Sequence, residues 1–134
     1  MRRGELTIRQ SSTSWSEPQE VHFRVTTVTR QWKSRPHLWR PPTDLQETDK
    51  TLVVRMEIAG MQDAELHIAV EGRQLALYGL RQPPSQQGAY HQLEVRYGDF
   101  LSVLDLPAEV DSDHITAEYA DGFLLVTLPK AGSR

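Results

Sequence analysis

The chain has no cysteine among its 134 residues, which excludes disulfides, thiolate nucleophiles and thiolate metal sites and fits a reducing compartment. No apolar run approaches the ~20 residues that a membrane-crossing helix needs. The N-terminus lacks the apolar core of a secretory signal, so the expected location is the cytosol. Nucleotide chemistry has no foothold: there is no phosphate-binding GxxxxGK[ST] loop, no GxGxxG turn, no alternation of strand and helix and no internal repeat. His22, His37, His67, His91 and His114 stand without the HxH, HxxxH or HExxH spacing of metal ligands. They are expected as surface or strand residues.

Catalytic constellations are equally scarce. Acidic residues gather near Asp63 and Glu65 and between Asp105 and Asp113, at turns and outward strand positions, where a solvated, unshifted carboxylate is the default. Ser11, Ser12, Ser14 and Ser16 crowd one polar stretch with no partner base. No enzymatic activity, cofactor or metal is expected.

What the chain does have is a charge asymmetry and a rhythm. Residues 1–40 carry eight Lys/Arg against three Glu, a balance of +5, whereas the remainder stands at −8 within a net charge of −3. The basic residues are scattered rather than packed into a dense tract, which argues against a nucleic-acid partner. Residues 1–20 are rich in Ser, Thr, Gln and charge, a composition that buries little and is expected to stay mobile. Val21, Phe23 and Val25 alternate weakly, and Trp15, Trp32 and Trp39 punctuate the basic arm as aromatics that must dock somewhere. Pro41-Pro42 restricts the backbone and marks the edge of a different region.

Beyond it the chain is a procession of short period-2 runs. Strands are expected over 43–47, 52–58, 66–70, 75–78, 90–95, 100–106, 115–119 and 123–128, with Gly, Pro and Asp between them. Residues 82–89 (QPPSQQGA) read as a polar loop. Asp121-Gly122 is a tight hairpin signal, because such turns require positive φ. After it Leu124, Val126 and Leu128 alternate with Phe123, Leu125 and Thr127, so both faces of the last strand offer apolar surface. There is no amphipathic helical stretch of about twelve residues, and the pattern as a whole specifies an all-β, immunoglobulin-like antiparallel β-sandwich.

From Trp39 to Lys130 the pieces resemble, in order, the α-crystallin domain of the small heat-shock protein family of the bacterial and plant kind. They are Trp39-x-Pro41, Asp44-Leu45-x-Glu47-Thr48-Asp49, Ile58-Ala59-Gly60-Met61, Leu66-x-Ile68-x-Val70-x-Gly72 and Leu75-x-Leu77-x-Gly79-x-Arg81. Tyr90-His91-x-Leu93-Glu94, Tyr97-Gly98-x-Phe100, Leu106-Pro107-x-x-Val110-Asp111, Ile115-x-Ala117, Gly122-Phe123-Leu124 and Leu128-Pro129-Lys130 complete the series. The implied organisation is an arm over 1–38, the sandwich over 39–130 and a short tail over 131–134. Ala59 stands where the family usually has Pro, a change expected to loosen one turn.

The resemblance implies an ATP-independent holdase that covers apolar segments of unfolding clients and hands them to ATP-driven chaperones. It implies a client groove between two edge strands, one carrying Leu66, Ile68 and Val70, the other Leu124, Val126 and Leu128. It implies a homodimer made by exchange of a loop strand containing Tyr90, His91, Gln92 and Leu93. The 82–89 loop can reach that far, since eight extended residues span up to ~26 Å. Trp15, Phe23 and Trp32 are the expected client contacts of the arm, and Val21-x-Phe23-x-Val25 is a candidate plug for the groove. The family's C-terminal Ile-x-Ile/Val element has no counterpart in the closing Ala-Gly-Ser-Arg, so a dimer or small oligomer is expected rather than a large assembly. A non-catalytic adaptor or co-chaperone-like module that binds one folded partner is the alternative of a different class.

Overall fold

A computed structural model describes the backbone of residues 3–9 and residues 38–61 and 64–132 in full. Eight strands are defined: β1 Arg3–Arg9, β2 Thr43–Glu47, β3 Thr51–Glu57, β4 Glu65–Glu71, β5 Gln74–Arg81, β6 Gly98–Asp105, β7 Thr116–Ala120 and β8 Phe123–Pro129. They form two four-stranded antiparallel sheets, in the orders β1-β4-β5-β6 and β2-β3-β8-β7. The all-β antiparallel sandwich expected from the alternation is the architecture found.

The two sheets meet through the inward half of each period-2 pattern. Leu52, Val54 and Met56 of β3 lie opposite Leu128, Val126 and Leu124 of β8, and all six are fully buried. Leu66, Ile68 and Val70 of β4 and Leu75 and Leu77 of β5 close the same core from the other sheet. At roughly 25 cal/mol per Å² of apolar surface removed from water, such side chains are the main favourable term in folding.

Asp121 and Gly122 both adopt positive φ (54° and 83°), the signature of the two-residue turn that joins β7 to β8 without splaying them. The Gly122 carbonyl accepts from the Ile58 amide, and the Tyr119 hydroxyl donates to the Ile58 carbonyl at 2.7 Å. Burial pushes the Tyr119 phenol above its ordinary value, an effect partly offset by a hydrogen bond from the Met61 backbone and by the Arg81 charge.

Trp39 docks on its own domain. Its backbone forms a parallel bridge with Phe100, its ring tilts against the Phe100 ring at 5.8 Å, and only 9% of the residue remains exposed. Pro41 is buried, and Thr43 Oγ1 donates to its carbonyl at 2.9 Å. Thr43 and Arg40 also reach Ser102, the fully buried hydroxyl of β6, at 3.0 and 3.2 Å. The entry to β2 is thereby tied to the opposite sheet.

Four expectations are corrected. Residues 3–9, expected mobile, form β1, because Leu6 and Ile8 alternate with polar neighbours and the β4 edge supplies the ladder that so short a strand cannot make alone. The strand expected over 90–95 is absent: the segment pairs with none of the eight strands and its residues are exposed, so its amides are left to water. Gly79 does not end β5, which continues to Arg81. Finally, β8 is not an edge strand: it lies between β3 and β7, and β7 is the terminal strand of its sheet.

Gly79 stays inside its strand for a steric reason. A Cβ there would stand 2.7 Å from Phe100 Cζ and 2.8 Å from the Glu65 carbonyl oxygen, closer than real contacts allow. Gly79→Ala is expected to destabilise the domain by about 1–3 kcal/mol, the usual cost of overpacking a core. The midpoint of urea unfolding, at unchanged slope, is the measurement that checks it.

Candidate functional site

No three His, Asp or Glu side chains among the described residues come together as a metal site. The candidate sites of the sandwich are edges and surfaces. The first is the outer edge of β4, along which β1 runs antiparallel over seven residues, from Arg3 opposite Glu71 to Arg9 opposite Glu65. An extended segment on this edge is held by main-chain bonds that demand no particular sequence.

The side chains expected to form the groove are placed deeper than an edge site requires. Leu66, Ile68, Leu124, Val126 and Leu128 are fully buried and Val70 is 2% exposed. Leu66, Ile68 and Val70 belong to the strand that receives β1. Leu124, Val126 and Leu128 belong to an interior strand, so the second lip shifts to β7. There Ala117 and Tyr119 face inward and Thr116 and Glu118 outward. Period-2 alternation identifies both strands equally well, and only the sheet order reveals their neighbours: β1 and β5 for β4, β3 and β7 for β8.

The second candidate is the segment 82–97 between β5 and β6. Tyr90, Leu93 and Val95 are 61%, 67% and 60% exposed, and His91 and Gln92 are exposed beside them. Tyr90, His91, Gln92 and Leu93 thus all lie exposed on this segment, whose exposed large apolar side chains are Tyr90, Leu93 and Val95. Its neck is closed by Arg81. The Arg81 Nε donates to the Arg96 carbonyl at 2.8 Å, its Nη2 reaches the same oxygen, and its Nη1 donates to the Ala59 carbonyl at 3.3 Å. The guanidinium lies 4.5 Å from the Trp39 ring centroid and 5.4 Å from that of Tyr97. Burial lowers the Arg81 pKa, with Tyr97 and Tyr119 opposing the shift, and the group stays cationic at any physiological pH.

A third feature lies on the outward face of β3, β7 and β8. Arg55, Glu118, Ala120, Phe123 and Leu125 line a shallow depression of about 300 Å³, with Phe123 47% exposed. The outward apolar positions of β8 foreshadowed it. His67 stacks on Tyr78 at 5.0 Å on the outward face of the other sheet, and His114 Nδ1 lies 2.7 Å from Asp111 Oδ2 at the turn Ser112–His114. Trp15, Phe23, Trp32, Val21, Val25, His22 and His37 lie outside the described residues.

A two-layer antiparallel sandwich that accepts a further strand on one edge and projects an apolar loop from one side defines a binding module of the α-crystallin class. Comparison with known proteins makes the assignment specific: the Hsp20/alpha crystallin family model matches residues 44–134, and the chain belongs to that family. It is 32% identical over 92 residues to small heat shock protein C2 of Rickettsia felis, a match covering 67% of this chain and 60% of that protein. It is also 32% identical over 124 residues to the 19.0 kDa class II heat shock protein of rice, covering 84% of this chain and 71% of that one. Among solved structures, heat shock protein 16.0 of Schizosaccharomyces pombe superimposes with a TM-score of 0.63 at 28% identity, covering 72% of this chain and 91% of that chain. A small heat-shock protein from Xylella fastidiosa superimposes with a TM-score of 0.60 at 28% identity, covering 72% of this chain and 90% of that one. The chain spans 56–66% of the length of three of the curated relatives it matches.

Arg81→Ala is expected to open the neck of the 82–97 loop, raising its cleavage rate in limited proteolysis. The accompanying loss of stability is expected at about 1–2 kcal/mol, the scale of a partly desolvated cation–π contact.

Proposed function

We propose that this protein is an ATP-independent chaperone of the holdase type, which covers apolar segments of unfolding proteins and keeps them from aggregating. The observation that carries the reading is the extended segment laid along β4 in a continuous seven-residue register. An edge that forms such a ladder offers main-chain hydrogen bonds to any extended chain, and unfolding clients expose apolar extended segments of many sequences. Leu66, Ile68 and Val70 form one lip of the groove and β7 the other, with Leu124, Val126 and Leu128 as the packed floor that holds the lips in place. Trp15, Phe23 and Trp32 are additional client contacts from the arm. Family membership supports the same reading, and no step of it calls for a nucleotide, a metal or a catalytic group. Captured clients pass to ATP-driven chaperones, and the working compartment is the cytosol.

Self-association follows from the 82–97 loop. Tyr90, His91, Gln92 and Leu93 reach an open edge of a second copy, burying apolar surface that a lone chain leaves in water. The homodimer is the unit so built, and pairing there would give the 90–95 segment the ladder it lacks in one chain.

The test is thermal aggregation of two unrelated client proteins without ATP, with sizing of the same sample. The expected result is suppression of both clients near equal mass by a species of at least dimer size. Leu93→Asp is expected to halve the mass of the basic unit while leaving the sandwich folded by circular dichroism. Failure to protect either client overturns the holdase reading and leaves binding of one folded partner. A dimer that persists in Leu93→Asp overturns loop exchange.

A further inference from the structure

We propose that the outward face of β3, β8 and β7 is a self-complementary docking surface for the same face of a second copy of this chain. It lies on the far side of its sheet from the core and stands apart from the 82–97 loop, whose exchange sets only the size of the unit that associates here.

Two register rows build the face. In one, Arg55 of β3, Leu125 of β8 and Glu118 of β7 stand side by side; in the next stand Glu57, Phe123 and Ala120. Successive side chains of a strand alternate between faces, so these six point away from Leu124 and Val126, which are fully buried in the core. Phe123 is 47% exposed, and the small Ala120 beside it leaves a shallow hollow of about 300 Å³ into which a ring can slide. The centre of the face is thus apolar, with a guanidinium on one flank and a carboxylate on the other. Arg55 Nη1 donates to the neutral Gln46 Oε1 at 3.0 Å, and neither charge of the row is neutralised among the described residues.

The order of charges across the face names the occupant. Neighbouring strands lie about 4.8 Å apart, so Arg55 and Glu118 flank Leu125 at roughly 10 Å from one another. A half-turn about an axis parallel to β8 and above Leu125 sets each Arg55 against the partner's Glu118. It also brings Leu125 onto Leu125 and Phe123 beside Phe123. A half-turn about an axis crossing the strands at the same point would set Arg55 on Arg55 and Glu118 on Glu118, so the charges select the first arrangement. Stacked sheets stand about 10 Å apart with strand directions within about 30°. An arginine and a glutamate bridge that gap from opposite sides. A surface that is its own complement is what a two-fold contact needs, since residue i then meets j and j meets i. A partner of one charge sign would satisfy one flank and be repelled by the other.

Five residues line the hollow, against about 20–30 a side in a standard interface. The contact is therefore weak on its own: it joins units reversibly as concentration rises and loosens as salt screens the exposed pairs.

The test is sedimentation equilibrium of the full-length chain over a concentration series, beside Arg55→Glu, Glu118→Arg and the double variant, with folding checked by circular dichroism. The unmodified chain is expected to double the mass of its basic unit as concentration rises. Each single variant is expected to raise the concentration of half-association about tenfold, because it sets like charges at both flanks of the contact. The double variant, and an equimolar mixture of the two single variants, are expected to return to within about threefold of the unmodified chain, since both restore two opposite pairs. A structural role for either residue would leave the mixture as weak as its components. Absence of doubling in the unmodified chain, unchanged association in either single variant, or no recovery in the mixture each overturns the proposal. The series is repeated in Leu93→Asp. There a dimer that resists the charge swap overturns loop exchange, whereas a doubling that follows the swap sustains the face.

Discussion

Everything in this molecule depends on the inward ladder between β3 and β8. Leu52, Val54 and Met56 stand in register with Leu128, Val126 and Leu124, and none of the six retains contact with water. Burying a set of this size drives the two sheets together, and it also settles which strands are left at the rims. With β8 committed to β3 and β7, β7 becomes terminal in its sheet, while in the other sheet β4 is flanked by β1 and β5. The binding surfaces are thus a by-product of how the core is filled. The same logic makes the floor of the proposed groove a poor target for selective mutation, because a polar residue at Leu124 or Val126 strikes the core before it strikes a ligand.

A smaller constraint joins the core to the loop. Gly79 lets the Phe100 ring lie against β5 and the β4 backbone approach it, Phe100 supports Trp39, and Trp39 receives the Arg81 guanidinium. Arg81 then closes the neck of the 82–97 segment through the Arg96 carbonyl. A chain of packed contacts therefore runs from the sandwich interior to the base of an exposed apolar projection. It explains how Tyr90, Leu93 and Val95 can face water without the loop collapsing onto the sheet: the neck is held and the tip stays exposed.

Much of this was legible in the sequence. Period-2 alternation placed β2 to β8 within a few residues, and Asp121-Gly122 announced its turn because the positive φ it adopts is what those residues tolerate. What alternation does not encode is neighbour identity. Leu66-x-Ile68-x-Val70 and Leu124-x-Val126-x-Leu128 look alike along the chain, yet one strand is flanked by β1 and β5 and the other by β3 and β7, a difference set by sheet order alone. Leu6-x-Ile8 was too short a pattern to stand out from a polar stretch, since its strand exists only where β4 provides a ladder. The 90–95 segment shows the converse: a strand-like sequence that pairs with none of the strands described in its own chain. Gly79, read as a strand end, continues β5 because its missing Cβ is what Phe100 requires.

An open strand edge is a hazard before it is a function, because it invites pairing with copies of the same chain as readily as with any client. Proteins usually blunt such edges with charge, proline or a covering element. Here the covering element is a strand of the same chain, matched to β4 in both apolar and charged positions yet joined to the body by a long connection. The specific register of Arg3–Arg9 on β4 thus covers an edge that would otherwise stand open.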